Sequence, residues 1–182
     1  MNQRDLPKRK HPRLKIFDYS STGAYFVTIC TQNRKCVLSQ VVGRGLAPAA
    51  TNDYDVPNGE NIVQIQLTAI GKIVEQQLLL LEERYACLEI PEYVIMPNHI
   101  HIVFVLNNET AGASPRPTIM DIVCAFKSLT TLECKKTYKI DKLFQTSFFE
   151  HVIRDRNDYN GIVKYIYENP AKWHYDDLYA DD

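Results

Sequence analysis

The chain has 182 residues and a mass of 21.0 kDa, which is the size of one compact domain. Apolar residues make up 45% of it and charged residues 24%, so a buried core is expected, and no apolar run is long enough to cross a bilayer. The five cysteines contain no CxxC pair, which argues against a disulfide framework and a thiolate zinc site. We therefore expect a cytoplasmic protein with reduced thiols, no secretory leader and no membrane partner.

The formal net charge of −1 hides an uneven distribution of charge along the chain. Residues 1–40 carry eight Lys and Arg against two Asp and Glu, whereas residues 150–182 carry four against eight. Residues 1–15 are predicted to form a basic arm, and the alternative is a solvated tail that binds nothing. The arm side chains that we expect to contact phosphate groups are Lys8, Arg9, Lys10 and Arg13.

The first half of the chain is predicted to contain two strands and one helix. A β-branched and aromatic run predicts a strand over 24–31, and alternating apolar and polar residues predict a short strand over 62–67. Between them, residues 43–60 are rich in Gly, Pro, Asn and Asp and predict a long, flexible insertion. Thr68 is a suitable N-cap for a helix over 69–85. The side of this helix predicted to face the core carries Ile70, Ile73, Val74, Gln77 and Leu81.

The second half is predicted to contain two strands, a helix, an extended segment and a last helix, at 88–95, 99–106, 119–135, 144–153 and 157–169. The strand over 99–106 is the most apolar stretch and is expected to be central in the sheet. Pro170 is expected to end the last helix. The predicted core side of the helix over 119–135 carries Ile122, Ala125, Phe126 and Leu129. Antiparallel strands mixed with about three helices predict an α+β fold with helices packed on one sheet.

Two histidines, His99 and His101, are separated by one residue in the predicted central strand. Residues two apart on a strand point to the same face, so both imidazoles should project together while Ile100 faces away. Two adjacent imidazoles in an apolar strand could bind one divalent cation. A pair of hydrogen-bonded core histidines is the alternative that these residues leave open.

Tyr165 and Asn169 are four residues apart in the last predicted helix and therefore share a face. Tyr167 points in roughly the opposite direction, so only Tyr165 shares its face with a carboxamide. A half-buried aromatic residue with a solvated hydroxyl is the structural alternative for Tyr165.

Aromatic and polar residues alternate between Gln145 and Arg154, a pattern that could stack and contact nucleic acid bases. Lys127 on the preceding helix could contact phosphate. Core packing and a solvated helix face explain the same residues equally well.

The order of these motifs resembles that of the single-tyrosine HUH transposases. Residues 93–101 (YVIMPNHIH) resemble their MPNHxH signature, most closely that of the REP-associated tyrosine transposases. The resemblance extends over about residues 13–173, through the segments 18–20 (DYS), 25–31 (YFVTICT), 126–128 (FKS), 148–154 (FFEHVIR) and 165–170 (YIYENP). The chain has Phe144 where the family usually has Trp, and the 43–60 insertion matches nothing in the family pattern.

This resemblance implies a ferredoxin-like antiparallel sheet with the two histidines on a central strand and a catalytic tyrosine on the C-terminal helix. It places one such domain at 16–176, with Tyr165 as the nucleophile and with His99, His101 and Asn169 as ligands of Mg²⁺ or Mn²⁺. Insertion-sequence relatives have glutamine at the position of Asn169.

The implied reaction is cleavage and rejoining of single-stranded or hairpin DNA through a 5′-phosphotyrosine bond, without a nucleotide cofactor. The implied location is the bacterial cytoplasm, at nucleoid DNA, and a homodimer stays one of the options. Two other functions remain open. One is a catalytically inactive, ferredoxin-like nucleic-acid-binding module. The other is a metal-dependent phosphoesterase in which water attacks and Tyr165 only packs.

Overall fold

The computed structural model describes residues 22–43, 63–107 and 117–180. The predicted basic arm and nearly all of the predicted 43–60 insertion lie outside the described residues. In chain order the elements are β1 (Gly23–Cys30), a 3₁₀ turn (Gln32–Arg34), β2 (Ser39–Val42), β3 (Gln64–Leu67), α1 (Ala69–Arg84), β4 (Leu88–Ile95), β5 (His99–Leu106), α2 (Ile119–Tyr138), β6 (Phe149–Ile153), α3 (Arg156–Glu168) and a 3₁₀ helix (Pro170–Tyr175).

Four antiparallel strands form the main sheet, in the order β4-β5-β1-β6. The apolar strand β5 lies between β4 and β1, which confirms that the histidine strand is central. A tight turn at 96–98 joins β4 to β5, and it is closed by the backbone N–H of Met96, which donates to the carbonyl of His99 at 2.9 Å. The predicted α+β class is confirmed.

Helices α1 and α2 cover one face of this sheet and enclose the main core. Alternate residues of β1 and β5, such as Val27 and Ile102, are fully buried there against Val74, Leu78 and Phe126. The sides of the two helices were predicted only in part. The buried residues of α1 are Gly71, Val74, Leu78 and Leu81, and those of α2 are Ile119, Ile122, Val123, Phe126, Thr130 and Cys134. The predicted residues Ile70 and Ile73 are partly buried and pack against the same core, whereas Leu78 of α1 and Val123 of α2 are buried and were not predicted.

Helix α3 packs on the opposite face of the sheet. Its one buried residue, Ile166, contacts Phe26 of β1 and Val103 of β5 in a small second core. This is the face on which residues 99 and 101 of β5 project, because they alternate with residues of the main core. The last helix therefore lies beside the histidines.

Two features differ from the predicted elements. Strand β2 was not predicted, since its four residues include Ser39 and Gln40 and carry no clear alternation; it pairs with β3 in a separate two-stranded sheet. Pro170 ends α3 but not the helical path, because it starts the 3₁₀ helix Pro170–Tyr175. Proline is tolerated at a first helical position, where no N–H partner is needed.

Gly71, in the first turn of α1, lies very close to the backbone that precedes β2. A Cβ atom at this position would lie 1.9 Å from the carbonyl oxygen of Leu38. Only glycine leaves room for that contact.

Within the part of the chain that the structure describes, no helix is both long enough and apolar enough to cross a membrane.

Candidate active site

The two imidazoles of β5 lie side by side on the face covered by α3. His99 is fully buried, His101 is 2% exposed, and their ring centroids are 4.5 Å apart. The predicted common orientation is therefore observed. The intervening Ile100 belongs to the main core on the other face.

Asn98 determines which nitrogen of His99 carries the proton. Its amide nitrogen donates to the carbonyls of Arg34 at 3.3 Å and Leu178 at 2.7 Å, which fixes the orientation of its carboxamide. The amide oxygen of Asn98 then lies 2.9 Å from Nδ1 of His99 and can only accept a hydrogen bond. Nδ1 therefore carries the hydrogen, and Nε2 carries a lone pair. That Nε2 is buried and has no hydrogen-bond partner among the described residues.

His101 is held by neighbours on strand β1. Its Nδ1 lies 2.8 Å from Oγ1 of Thr28, the residue directly opposite it in the strand pair. The ring of Phe26 stacks on the His101 ring at a centroid distance of 5.2 Å. Hydrogen bonds at Nδ1 leave Nε2 of each histidine directed at the site, which is the arrangement common to metal-binding histidines.

Both histidines are neutral at physiological pH. Burial lowers the pKa of His99 and of His101 from 6.5 to about 3. The positive charge of Arg34 adds to the lowering at His99, and the neighbouring His99 ring adds to it at His101. Neutral imidazole is the form that binds a metal ion.

Tyr165 on α3 lies with its hydroxyl oxygen 3.3 Å from Nε2 of His101. The residue is 44% exposed and lines an open cleft. Burial raises the pKa of the phenol to about 12, and the carboxylates of Asp176 and Asp177 add to this rise. Tyr167 is 70% exposed and interacts with Glu92, away from the histidines. The helical phase thus brings Tyr165, and not Tyr167, to the histidine pair.

Asn169 follows the last turn of α3 and is 3% exposed. Its amide nitrogen donates to Oδ2 of Asp176 at 2.8 Å. Its Oδ1 is buried and, like Nε2 of His99, has no hydrogen-bond partner among the described residues. Two unpaired acceptor atoms at one buried place are the arrangement expected of a site that binds a cation.

Asp176 was not predicted from the sequence. The 3₁₀ helix Pro170–Tyr175 turns the chain back, places the Trp173 ring 5.9 Å from the His99 ring, and brings Asp176 to the site. Single ligand atoms of His99, His101 and Asp176 all lie within 4.8 Å of one another. The helix predicted from the sequence ends at Pro170, so its periodicity could not show that the chain turns back. The Asp residues that follow Trp173 were the one signal of a possible ligand there.

An open cleft of about 880 Å³ leads to the histidine pair. Of the predicted DNA-binding residues, Gln145 lines this cleft, whereas Lys127 and Arg154 do not. The ammonium of Lys127 donates to the carbonyl of Thr146 at 2.7 Å. The predicted residues Lys8, Arg9, Lys10 and Arg13 lie outside the described residues. The cationic residues that do line the cleft, and that were not predicted, are Arg34 and Lys172.

Comparison with known proteins identifies relatives of two kinds. An uncharacterized protein of Haemophilus influenzae is 30% identical over 188 residues, which cover 95% of this chain and 94% of that protein. A putative REP-associated tyrosine transposase of the same species is 30% identical over 93 residues, or 48% of this chain and 52% of its own length. The REP-associated tyrosine transposase of Escherichia coli is 32% identical over 84 residues, or 46% of this chain and 45% of its own length. The matches thus span about half of each named relative.

A solved structure shares the fold. It is that of a REP-associated tyrosine transposase bound to a REP hairpin, which superposes with a TM-score of 0.56 at 20% identity and covers 88% of this chain and 74% of that chain. No family model matches the chain. The shared fold is an α+β domain, and here its central strand carries the histidine pair. Over about half of its length the chain is similar to the REP-associated tyrosine transposases, the family that its motifs resemble.

Proposed function

We propose that this protein is a transposase-like DNA endonuclease that cleaves and rejoins single-stranded or hairpin DNA, with Tyr165 as the nucleophile. The observation that carries the proposal is the position of the Tyr165 hydroxyl, 3.3 Å from Nε2 of His101 and open to the cleft. Its named relatives are transposases, and the solved structure with the same fold is bound to a REP hairpin.

The proposed step exchanges one phosphodiester bond for another. The phenol oxygen of Tyr165 attacks the phosphorus atom, and the bond from phosphorus to the 3′ oxygen breaks. The phenol loses one proton and the departing 3′ oxygen gains one, so the proton balance is zero. The products are a phosphotyrosine bond to the 5′ end and a free 3′ hydroxyl. Because the bond energy is kept, the reverse attack by the 3′ hydroxyl rejoins DNA without a nucleotide cofactor.

The residues around Tyr165 fit a divalent cation. His99, His101 and Asn169 offer two neutral imidazoles and one amide oxygen, and two of these acceptor atoms are buried without a partner. Bound Mg²⁺ or Mn²⁺ would supply positive charge that polarises the phosphate and favours the ionised phenol. The raised pKa of Tyr165 explains why such a charge is needed, since the phenol is protonated at neutral pH.

The cleft has the chemistry that a single strand requires. Arg34 and Lys172 line it beside the carboxylates of Asp176 and Asp177 and could contact backbone phosphates, and Gln145 offers an amide to a base edge. Phe149, 46% exposed, offers an aromatic face for base stacking. We expect a base-paired backbone to reach Tyr165 less easily, since this residue lines a cleft beside the buried His101.

The test is a covalent adduct between protein and DNA. Labelled single-stranded hairpin DNA is incubated with the protein and Mn²⁺ and analysed on a denaturing gel. We expect a shifted band that Tyr165→Phe abolishes and Tyr167→Phe retains, because only the former removes the oxygen beside His101. Cleavage without an adduct would indicate water as the nucleophile. Binding without cleavage, unchanged in Tyr165→Phe, would indicate an inactive binding module.

A further inference from the structure

The carboxylate of Asp176 lies beside the histidine pair, but no hydrogen bond joins it to His99. Its Oδ2 lies 3.9 Å from Nε2 of His99. Because Nδ1 of His99 carries the hydrogen, this Nε2 presents a lone pair to the carboxylate. Two electron-rich atoms thus face each other in a buried place, where the carboxylate side chain is 4% and the imidazole 0% exposed.

The surrounding hydrogen bonds keep Asp176 in this position. Oδ1 accepts from the backbone N–H of Leu178 at 2.6 Å, and Oδ2 accepts from the amide of Asn169 at 2.8 Å. A carboxylate has about four acceptor positions, so these two bonds leave further lone pairs available. The other amide atom of Asn169, Oδ1, is buried without a hydrogen-bond partner among the described residues.

We propose that Asp176 is the anionic ligand of the divalent cation held by His99 and His101. This inference rests on the metal site of the proposed function and adds a ligand to it. Ligand distances near 2.1 Å allow two atoms up to about 4.2 Å apart to bind one ion, and the pair of His99 Nε2 and Asp176 Oδ2 is 3.9 Å apart. The carboxylate gives an otherwise uncharged ligand set one negative charge, which strengthens its attraction for a cation.

Two substitutions of Asp176 distinguish a metal ligand from a residue that only positions Asn169. Asp176→Asn removes the charge but keeps an amide oxygen that can accept from the Asn169 amide. Asp176→Ala removes both. The neighbouring Asp177 lines the same cleft but is not part of the histidine cluster, so Asp177→Asn is the matched control.

The experiment measures Mn²⁺ binding to the full chain by calorimetry, together with the rise in melting temperature that Mn²⁺ causes. We expect Asp176→Asn to weaken Mn²⁺ binding at least tenfold and to lose most of the rise in melting temperature, while Asp177→Asn behaves like the wild type. We expect Asp176→Asn to melt no lower than the wild type without metal, because it removes the unfavourable contact with His99, and this result shows that the variant is folded.

The inference is overturned if Asp176→Asn binds Mn²⁺ as tightly as the wild type, including the case in which only Asp176→Ala is weakened. It is also overturned if the wild type binds no Mn²⁺. If the wild type forms the DNA adduct but Asp176→Asn keeps full Mn²⁺ affinity, the inference fails and the proposed function stands. If Asp176→Asn loses Mn²⁺ affinity but the wild type forms no adduct, the inference stands and the proposed function fails.

Discussion

The buried histidine pair makes the metal-free protein sensitive to mild acid. Both imidazoles have an ordinary pKa of 6.5 when unfolded and a pKa of about 3 in the fold. As the pH falls below 6.5, the two imidazoles therefore bind protons in the unfolded state but not in the folded state. Stability due to the neutral rings is complete above pH 6.5 and is lost progressively down to about pH 3.

The expected loss is large enough to measure. Between pH 7.0 and 5.5 each histidine lowers the free energy of unfolding by about 1.2 kcal/mol, and the pair by about 2.5 kcal/mol, if both stay neutral in the fold. With a urea dependence of about 2 kcal/mol per molar, the unfolding midpoint moves down by roughly 1 M. The assay is urea unfolding followed by circular dichroism at both pH values, with EDTA present.

A matched control is His174→Gln, which removes an exposed histidine outside the buried pair. Mn²⁺ at a hundred times its dissociation constant should add about 2.7 kcal/mol to the free energy of unfolding at pH 7.0. A midpoint that differs by less than about 0.2 M between the two pH values would refute the reasoning. It would mean that the imidazoles accept protons inside the fold.

Three further predictions follow from other contacts. Asn98→Ala should weaken Mn²⁺ binding about 10-fold to 100-fold in calorimetry, because His99 loses the acceptor that fixes its Nδ1 proton; unchanged affinity would contradict this. Gly71→Ala should lower the free energy of unfolding by about 1–3 kcal/mol, since its Cβ would meet the Leu38 carbonyl. Gly161→Ala, with open space around that Cβ, should raise it by about 0.5–1 kcal/mol, and equal effects would refute the steric argument. Neutralising the basic arm should reduce the salt slope of binding to single-stranded DNA by up to about 2.8 units, at about 0.7 for each phosphate contact, and an unchanged slope would identify a solvated tail. The arm variants are Lys8→Gln, Arg9→Gln, Lys10→Gln and Arg13→Gln.

The sequence predicted those parts of the site that depend on local periodicity. Strand alternation placed His99 and His101 on one face, and helical phase placed Tyr165 with Asn169, because both geometries repeat over a few residues. The bounds of β4 and β5 were predicted for the same reason. Local periodicity could not predict that α3 covers the histidine face, since this depends on how distant elements pack.

The parts that were missed depend on contacts between distant segments. Asp176 reaches His99 only because the chain turns back after Pro170. Arg34 reaches the cleft from a turn in which it and Asn33 both have a positive φ, 55° and 58°, a conformation that no local pattern in the sequence indicated.

Three of the hydrogen bonds that hold the segment after Pro170 are made by its backbone. The carbonyls of Asp177, Leu178 and Ala180 accept hydrogen bonds from Arg34, Asn98 and Cys36, respectively. Every amino acid supplies the same carbonyl, so the side chains at these three positions can be exchanged without losing an acceptor. Substitutions of these three side chains would therefore leave the carbonyl that orients Asn98 beside His99 in place, whereas a change in the length or path of the backbone there would move it.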